Sequence, residues 1–391
     1  MSTRQPPLVP RMAEHSVSIF AEMSTLAAEV GAINLGQGFP DTDGPEALKD
    51  VAVTAIREGR GNQYPPPHGL PLLREAIAEH QQRFYQLRVD PATEVVVGTG
   101  ASEIIQSALL ALVDEGDEVV VFEPWFDLYT AGIALARGVR VGVPMSGPEL
   151  RPDLAALEAA ITSRTRLILL NSPHNPTGVV FTPQELAEVA RMAIAHDLLV
   201  IADEAYEHLW FDQSTHIPIS TLPGMWERTV TVGSGGKSFS FTGWKVGWAS
   251  GPRELIAAVR VVRQHLSFVS GGPFQYAMAV GLGLPDSYFD EFRRDLQVKR
   301  DLLGPGLADL GFDVITPQGT YFITTDVRSL GYADGLRFCR ELPSRAGVVA
   351  IPHQVFCDDP TIGAPYVRWA FCKKVDLLEE ALERLRNGFR A

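Results

Sequence analysis

From about residue 94 to residue 250 the chain repeats one texture: a short apolar run, a turn, then a stretch of helix length. The runs are Glu94–Gly98, Glu118–Phe122, Arg166–Leu170, Leu198–Ala202, Thr229–Val232 and Val246–Ser250. Most are apolar throughout rather than alternating, as strands covered on both faces must be. Ala101–Val113 and Pro183–His196 have helix length, and the second opens with Thr182 as N-cap and Pro183 in its first turn. Strands alternating with helices predict an α/β fold on a mainly parallel, helix-covered sheet.

After about residue 285 the texture changes to a charged amphipathic helix (Ser287–Leu310), a strand near Gly319–Thr325 and a helical end (Val375–Arg390). The first 45 residues read as an arm with a short helix around Ser18–Val30. The expected division is an arm with part of the small domain (1–45), a large domain (46–285) and a smaller α+β domain (286–391).

Charge and composition remove several function classes. Lys and Arg number 34 against 47 Asp and Glu, and the net charge of −13 argues against general nucleic-acid or membrane-surface binding. No apolar run approaches the roughly 18 residues of a membrane span. The opening MSTRQPPLVPRMAEH lacks the apolar core of a secretory signal. Cys339, Cys357 and Cys372 form no CxxC pair, which predicts reduced thiols and a cytoplasmic protein. No metal-ligand pattern stands out.

The sheet invites three chemistries. Gly98-Thr99-Gly100 opens a helix, and Glu123 ends the next strand where a dinucleotide fold places its ribose acid. The third glycine of that fingerprint is Glu103, so what survives is a glycine turn into a helix N-terminus, a seat for any phosphate. Gly236-Lys237-Ser238, with Asp203-Glu204 after an apolar run, imitates a nucleoside-triphosphate site. Its required upstream glycine is Thr231, its acidic strand comes before the lysine loop, and Phe239–Trp244 looks irregular rather than helical. The third reading uses every piece: a lysine after a strand, an acid at a strand end and a phosphate seat suit pyridoxal phosphate. Its aldehyde joins a lysine, and its ring nitrogen needs an acid.

Eight segments then carry a resemblance. They are Asn34–Asp41, Asn62–Ile77, Glu123–Tyr129, Asn171–Gly178, Ala202–Leu209, Ser234–Trp248, Pro317–Phe322 and Tyr366–Lys374. In this order the chain resembles a fold-type I, class I aminotransferase from about Phe20 to Lys373. The subgroup it resembles is kynurenine aminotransferase and glutamine transaminase K, with methionine and N-succinyldiaminopimelate aminotransferases nearby.

The resemblance implies roles. Lys237 matches the Schiff-base lysine, whose freed amine shuttles the substrate's α-proton. Asp203 matches the acid on the ring nitrogen, and Tyr206 and Asn175 match the groups on the ring hydroxyl. Phe126 matches the ring stacked on the cofactor. Ala101 and Ser102, Ser234 and Lys245 match the phosphate seat, with Tyr64 reaching the phosphate of a neighbouring subunit. A homodimer with shared sites follows from that last role. Arg368 matches the α-carboxylate arginine, with Gly38 assisting; a planar guanidinium suits a carboxylate where an ammonium does not.

Without those motifs, a lone lysine reads as a surface charge, Asn175-Pro176-Thr177-Gly178 as a turn, and Arg368 as half of an ion pair. Phe20, Trp125, Phe268 and Phe356 suggest an aromatic substrate pocket, while Trp125 and Tyr129 read equally as core. The chain departs from its subgroup at Ile351–Phe356, where Gln354 replaces a small residue beside His353. The expected reaction moves an amino group from a neutral, bulky or aromatic L-amino acid to a 2-oxo acid. Alternatives on the same fold are transfer from N-succinyldiaminopimelate, β-elimination, decarboxylation and oxidation. A cofactor-binding regulator is a further class, with no DNA-binding segment to support it.

Overall fold

The computed structural model describes residues 8–16 and 18–389, so the opening MSTRQPP, Val17 and the expected helix end at Arg390 lie outside the described residues. A helix at Ile19–Val30 leads into β1 (Ile33–Asn34). Eight strands then build the large sheet: β2 (Val95–Thr99), β3 (Glu118–Glu123), β4 (Val139–Ser146), β5 (Arg151–Pro152), β6 (Thr165–Asn171), β7 (Leu199–Asp203), β8 (Thr229–Ser234) and β9 (Val246–Ser250). The order across the sheet is β2-β9-β8-β7-β6-β3-β4-β5. β4, β3, β6, β7 and β8 are parallel, whereas β9 runs against both β8 and β2.

The continuous apolar runs have a direct cause in this sheet. Successive side chains point to opposite faces, and both faces are buried. Val119, Leu167, Leu169 and Ile201 enter one core, while Val120, Ile168, Leu170, Val200 and Ala202 enter the other. The first core is covered by helices Gly100–Leu112 and Arg253–Leu266, the second by Leu154–Ala160 and Pro183–Ala195. The last of these starts with a full capping box, Thr182 and Glu185 each bonding the other's backbone N–H. Helices Glu46–Arg57, Pro71–Tyr85 and Gly272–Leu282 form a third core with Val95, Val97, Val246 and Trp248.

After the long helix Asp286–Ala308 come β10 (Asp313–Ile315), β11 (Phe322–Asp326), β12 (Val348–Val349), β13 (Ile351–Pro352) and β14 (Tyr366–Ala370). Four of these form an antiparallel sheet ordered β10-β11-β14-β13. β12 instead pairs with β1, in parallel, tying the arm to the C-terminal part. Two residues are too few to show a period, so this strand had no sequence signal. Among the described residues no helix is long and apolar enough to cross a membrane.

Candidate active site

Parallel strands deliver their carboxyl ends to one edge, where open α/β sheets hold ligands. β2, β6, β7 and β8 end there at Thr99, Asn171, Asp203 and Ser234. β9 runs the other way, so it begins at this edge and brings Lys245, the residue before it, to the same place. Together they floor a cavity of about 430 Å³. Phe20, Gly38, Ala101, Ser102, Phe126, Asn175, Asp203, Tyr206, Ser234, Lys237, Lys245 and Arg368 all line it.

Lys237 lies in a single helical turn, Gly235–Ser238. Its Nζ donates to the Tyr321 hydroxyl at 2.7 Å and to the Gly38 carbonyl at 3.2 Å. Burial pulls the amine down to about 8, with Asp203 opposing and Arg368 and Lys245 assisting. The Asp203 carboxylate accepts from the Tyr129 hydroxyl at 2.6 Å and from the Ala205 N–H at 3.1 Å. Burial raises its carboxyl above the usual range, and those two donors hold it down.

The helix Gly100–Leu112 starts at this edge with no side chain capping it, which leaves first-turn N–H groups for a ligand. Gly100 has φ +76, and a Cβ there would sit 3.3 Å from the end of the Lys245 side chain. The glycine gives the turn its left-handed conformation and lets the lysine approach.

The opposite wall comes from the small sheet and the arm. Arg368 in β14 is fully buried, donating to Asn175 Oδ1 and to the Gly36 carbonyl, both at 2.8 Å. Among the described residues its Nε has no partner. The guanidinium stacks 4.0 Å from the Phe322 ring centroid and 5.3 Å from that of Phe20. Burial lowers it to about 10, so it stays a cation at neutral pH. Gly38 has no room for a side chain, since a Cβ would meet the Phe322 ring at 2.5 Å.

Four expected residues lie outside this cavity's lining. Phe356 stands behind Phe20, stacked at 5.8 Å, and Trp125 is buried beside it, its backbone N–H donating to the Phe356 carbonyl. Both line a neighbouring cavity of about 450 Å³ that shares Phe126, Asp127 and Leu128 with the first. Tyr64 is 80% exposed and packs edge-on against Phe268 at 5.4 Å, away from its own chain's cavity. Gln354 turns away too, accepting from the Leu336 N–H at the start of helix Gly335–Ala346.

Sequence reasoning gave no role to Tyr321, and read Tyr129 as core or wall. The quoted segments held both, but only the fold brings a phenol against Lys237 and another against Asp203. The two decoys resolve as structure. Glu123 accepts from the Asp358 N–H at 3.0 Å, and the lysine turn opens no long helix.

Behind the edge lies a buried polar knot. Asp203 and Tyr206 face the cavity, while Glu204, Glu207 and His208 of the same segment face away. Glu204 meets His216 at 3.0 Å, Glu207 accepts from Tyr85 at 2.7 Å, and His208 meets His80 at 2.8 Å. His80, Glu207 and His208 have spacing that suits a metal ion.

A buried lysine, a strand-end aspartate, an uncapped helix start and a buried arginine thus gather around one cavity. The chain belongs to the class I and II aminotransferase family, whose model matches residues 30–385. It is 47% identical to a probable N-succinyldiaminopimelate aminotransferase of Mycobacterium tuberculosis over 96% of this chain and 97% of that one. The solved structure of N-succinyldiaminopimelate aminotransferase from Mycobacterium tuberculosis superposes with a TM-score of 0.94 over 97% of this chain and 99% of that chain, at 47% identity. Methionine aminotransferase of Escherichia coli is 38% identical over 97% of this chain and 99% of that one. The protein is an aminotransferase.

Proposed function

We propose that the cavity binds pyridoxal phosphate on Lys237 and moves an amino group from a neutral, bulky L-amino acid to a 2-oxo acid. The observation that carries this is the gathering of Lys237, Asp203, the uncapped helix start and Arg368 around one cavity. The donor set fits the cofactor: N–H groups at Ala101 and Ser102, the Ser234 hydroxyl and Lys245 suit a phosphate. When bound, pyridoxal phosphate supplies a carbonyl to take up the amine and a ring to draw electrons from the deprotonated carbon.

The chain's residues do the rest. Asp203 presents a buried carboxylate that a cationic ring nitrogen would compensate. Asn175 and Tyr206, which line the cavity, would bond the ring hydroxyl, and Phe126 would stack on the ring. Arg368, with its unpaired Nε, takes the donor's carboxylate bidentately. Lys237 Nζ accepts the α-proton and returns it. Free Cys339, Cys357 and Cys372 support a reducing, cytoplasmic setting.

Phe20, with Phe356 stacked behind it, favours an apolar tail, and an unpaired side-chain carboxylate against it would cost several kcal/mol. A second reading, transfer from N-succinyldiaminopimelate, is favoured by the 47% identity and by the neighbouring cavity, which holds His15 and Arg340 beside Asp127. Borohydride reduction followed by peptide mapping should find the cofactor on Lys237; an adduct on Lys245, or none, defeats the assignment. kcat/KM with methionine, glutamine, phenylalanine, aspartate and N-succinyldiaminopimelate then separates the readings. Aspartate leading would defeat the pocket argument, and the succinylated donor leading by orders of magnitude selects the second reading.

We also propose that the enzyme is a homodimer in which Tyr64 serves the partner's site, as its exposure in one chain supports. Mixing Lys237→Ala protein with Tyr64→Ala protein should restore activity as subunits exchange. Failure despite demonstrated exchange would confine Tyr64 to its own subunit or to no site.

A further inference from the structure

We propose that Tyr321 is a positioning residue for Lys237, anchoring the free amine by its N–H side so that its lone pair is left free to act as a base. The inference rests on the reading of Lys237 given above and adds a group that reading does not use. Tyr321 is 1% exposed, and its hydroxyl donates to the Gly38 carbonyl at 2.6 Å. Its own hydrogen is therefore committed, and towards Lys237 the phenol oxygen acts as acceptor at 2.7 Å. The Gly38 carbonyl accepts from the same Nζ at 3.2 Å.

A neutral amine has two N–H hydrogens and one lone pair. Here both acceptors lie on one side of Nζ, only 2.6 Å from each other, so they anchor the amine by its N–H side and leave its lone pair on the open side. A base needs that state and that orientation in the proton-transfer step. Taking the α-proton makes Nζ an ammonium, and returning it restores the amine; the phenol neither gains nor loses a proton in the cycle. The ring is held for this task, edge-on to Tyr206 at 5.2 Å and to Phe322 at 4.8 Å. Gly38 is held as well, because Arg368 bonds the Gly36 carbonyl and Lys373 the Phe39 carbonyl on either side of it.

The charges facing Lys237 set its protonation apart from Tyr321. Asp203 favours the ammonium, Arg368 and Lys245 the amine, and burial outweighs them, while Cys372, pushed up to about 11 by burial, is a neutral thiol near pH 8. A phenol oxygen accepting from N–H stabilises the ammonium more than the amine. Its removal therefore lowers the pH at which the amine is freed.

Tyr321→Phe keeps the ring and removes only the hydroxyl. In cofactor-free protein, acetylation of Lys237 by limiting acetic anhydride, read by mass spectrometry across a pH series, should show a midpoint near 8 for the parent chain. The variant's midpoint should fall by roughly 1 on the pH scale, the scale of one hydrogen bond to a charged group. In the loaded enzyme kcat should drop about tenfold or more with KM little changed. The isotope effect of an α-deuterated donor should rise. A folded variant with unchanged midpoint and unchanged isotope effect overturns the proposal. Should the variant unfold, Tyr321→Met, which fills the space without a hydroxyl, is read by the same acetylation midpoint. If the parent chain carries no cofactor on Lys237, the functional reading falls, and the cofactor-free acetylation series still decides whether Tyr321 governs the amine.

Discussion

Lys237, Asp203, Asn175 and Lys245 all sit where one sheet presents its strand ends, whereas Arg368, Gly38 and Phe20 come from a second sheet, a loop and the arm. Asp203 ends a strand of the ladder across β6, β7, β8 and β9, and Asn175, Lys237 and Lys245 lie within four residues of its strands, so their spacing follows the ladder. The second set is held by side chains reaching over long sequence distances, such as Arg368 on Asn175 and Lys373 on the Phe39 carbonyl. Chemistry common to every donor suits the rigid edge. Recognition of one donor suits the wall assembled from separate pieces, where a substitution moves a contact without disturbing the ladder.

Substitutions on the two sides should therefore differ in size and kind. Asp203→Ala should fold and lose turnover by roughly 10²-fold or more, the scale of removing a preorganised electrostatic partner. Near-normal turnover with cofactor bound would reduce Asp203 to a cap on its strand end and erase the contrast. Arg368→Lys should cost less, roughly 10- to 100-fold in kcat/KM and mostly in KM, because a point charge replaces a bidentate fork. The cofactor should stay bound; its loss would show that the second wall also holds the first.

The smallest effect concerns stability alone and compares buried histidines with the surface. His174 is buried in the loop after β6, with Nδ1 at 2.8 Å from Thr177 Oγ1, and burial lowers it to about 3. Its folded value lies below the ordinary 6.5, so the unfolded chain binds the extra proton between these limits. Stability from this group is complete above pH 6.5 and is lost as pH falls towards 3. The parent chain should lose stability relative to His174→Gln across that window, by at most about 1.4 kcal/mol per pH unit. Denaturant titrations at several pH values measure the difference, and parallel curves would show a protonated His174 in the fold. Glu207, raised to about 8 by burial, titrates with the opposite sign in both proteins and cancels in the comparison.

How much of this was legible follows from the range of each interaction. β7 and its Asp203, or the N-cap at Thr182, are local patterns, and the six apolar runs fall within two residues of the observed ends of β2, β3, β6, β7, β8 and β9, whereas β4 (Val139–Ser146), only partly buried, gave no such run. The motif set likewise marked Lys237 and Arg368. β1 was invisible because two residues carry no period and its partner lies beyond residue 340. Trp125 and Phe356 were read into the pocket because aromatic residues near a motif look alike in sequence, whether they line a cavity or support its wall.

By itself the sequence determined the doubly covered sheet, since only strands buried on both faces demand continuous apolar runs, and it marked the lysine, aspartate and arginine of the site. Tertiary structure decided which neighbours those residues meet. The Tyr321 hydroxyl on Lys237, Tyr129 on Asp203 and the unpartnered Nε of Arg368 depend on chain segments up to hundreds of residues apart. Local propensity and periodicity act over a few residues. The direction in which a buried hydroxyl points is set by packing and by the cost of leaving a polar atom unpaired, and both exist only once the chain has closed around it.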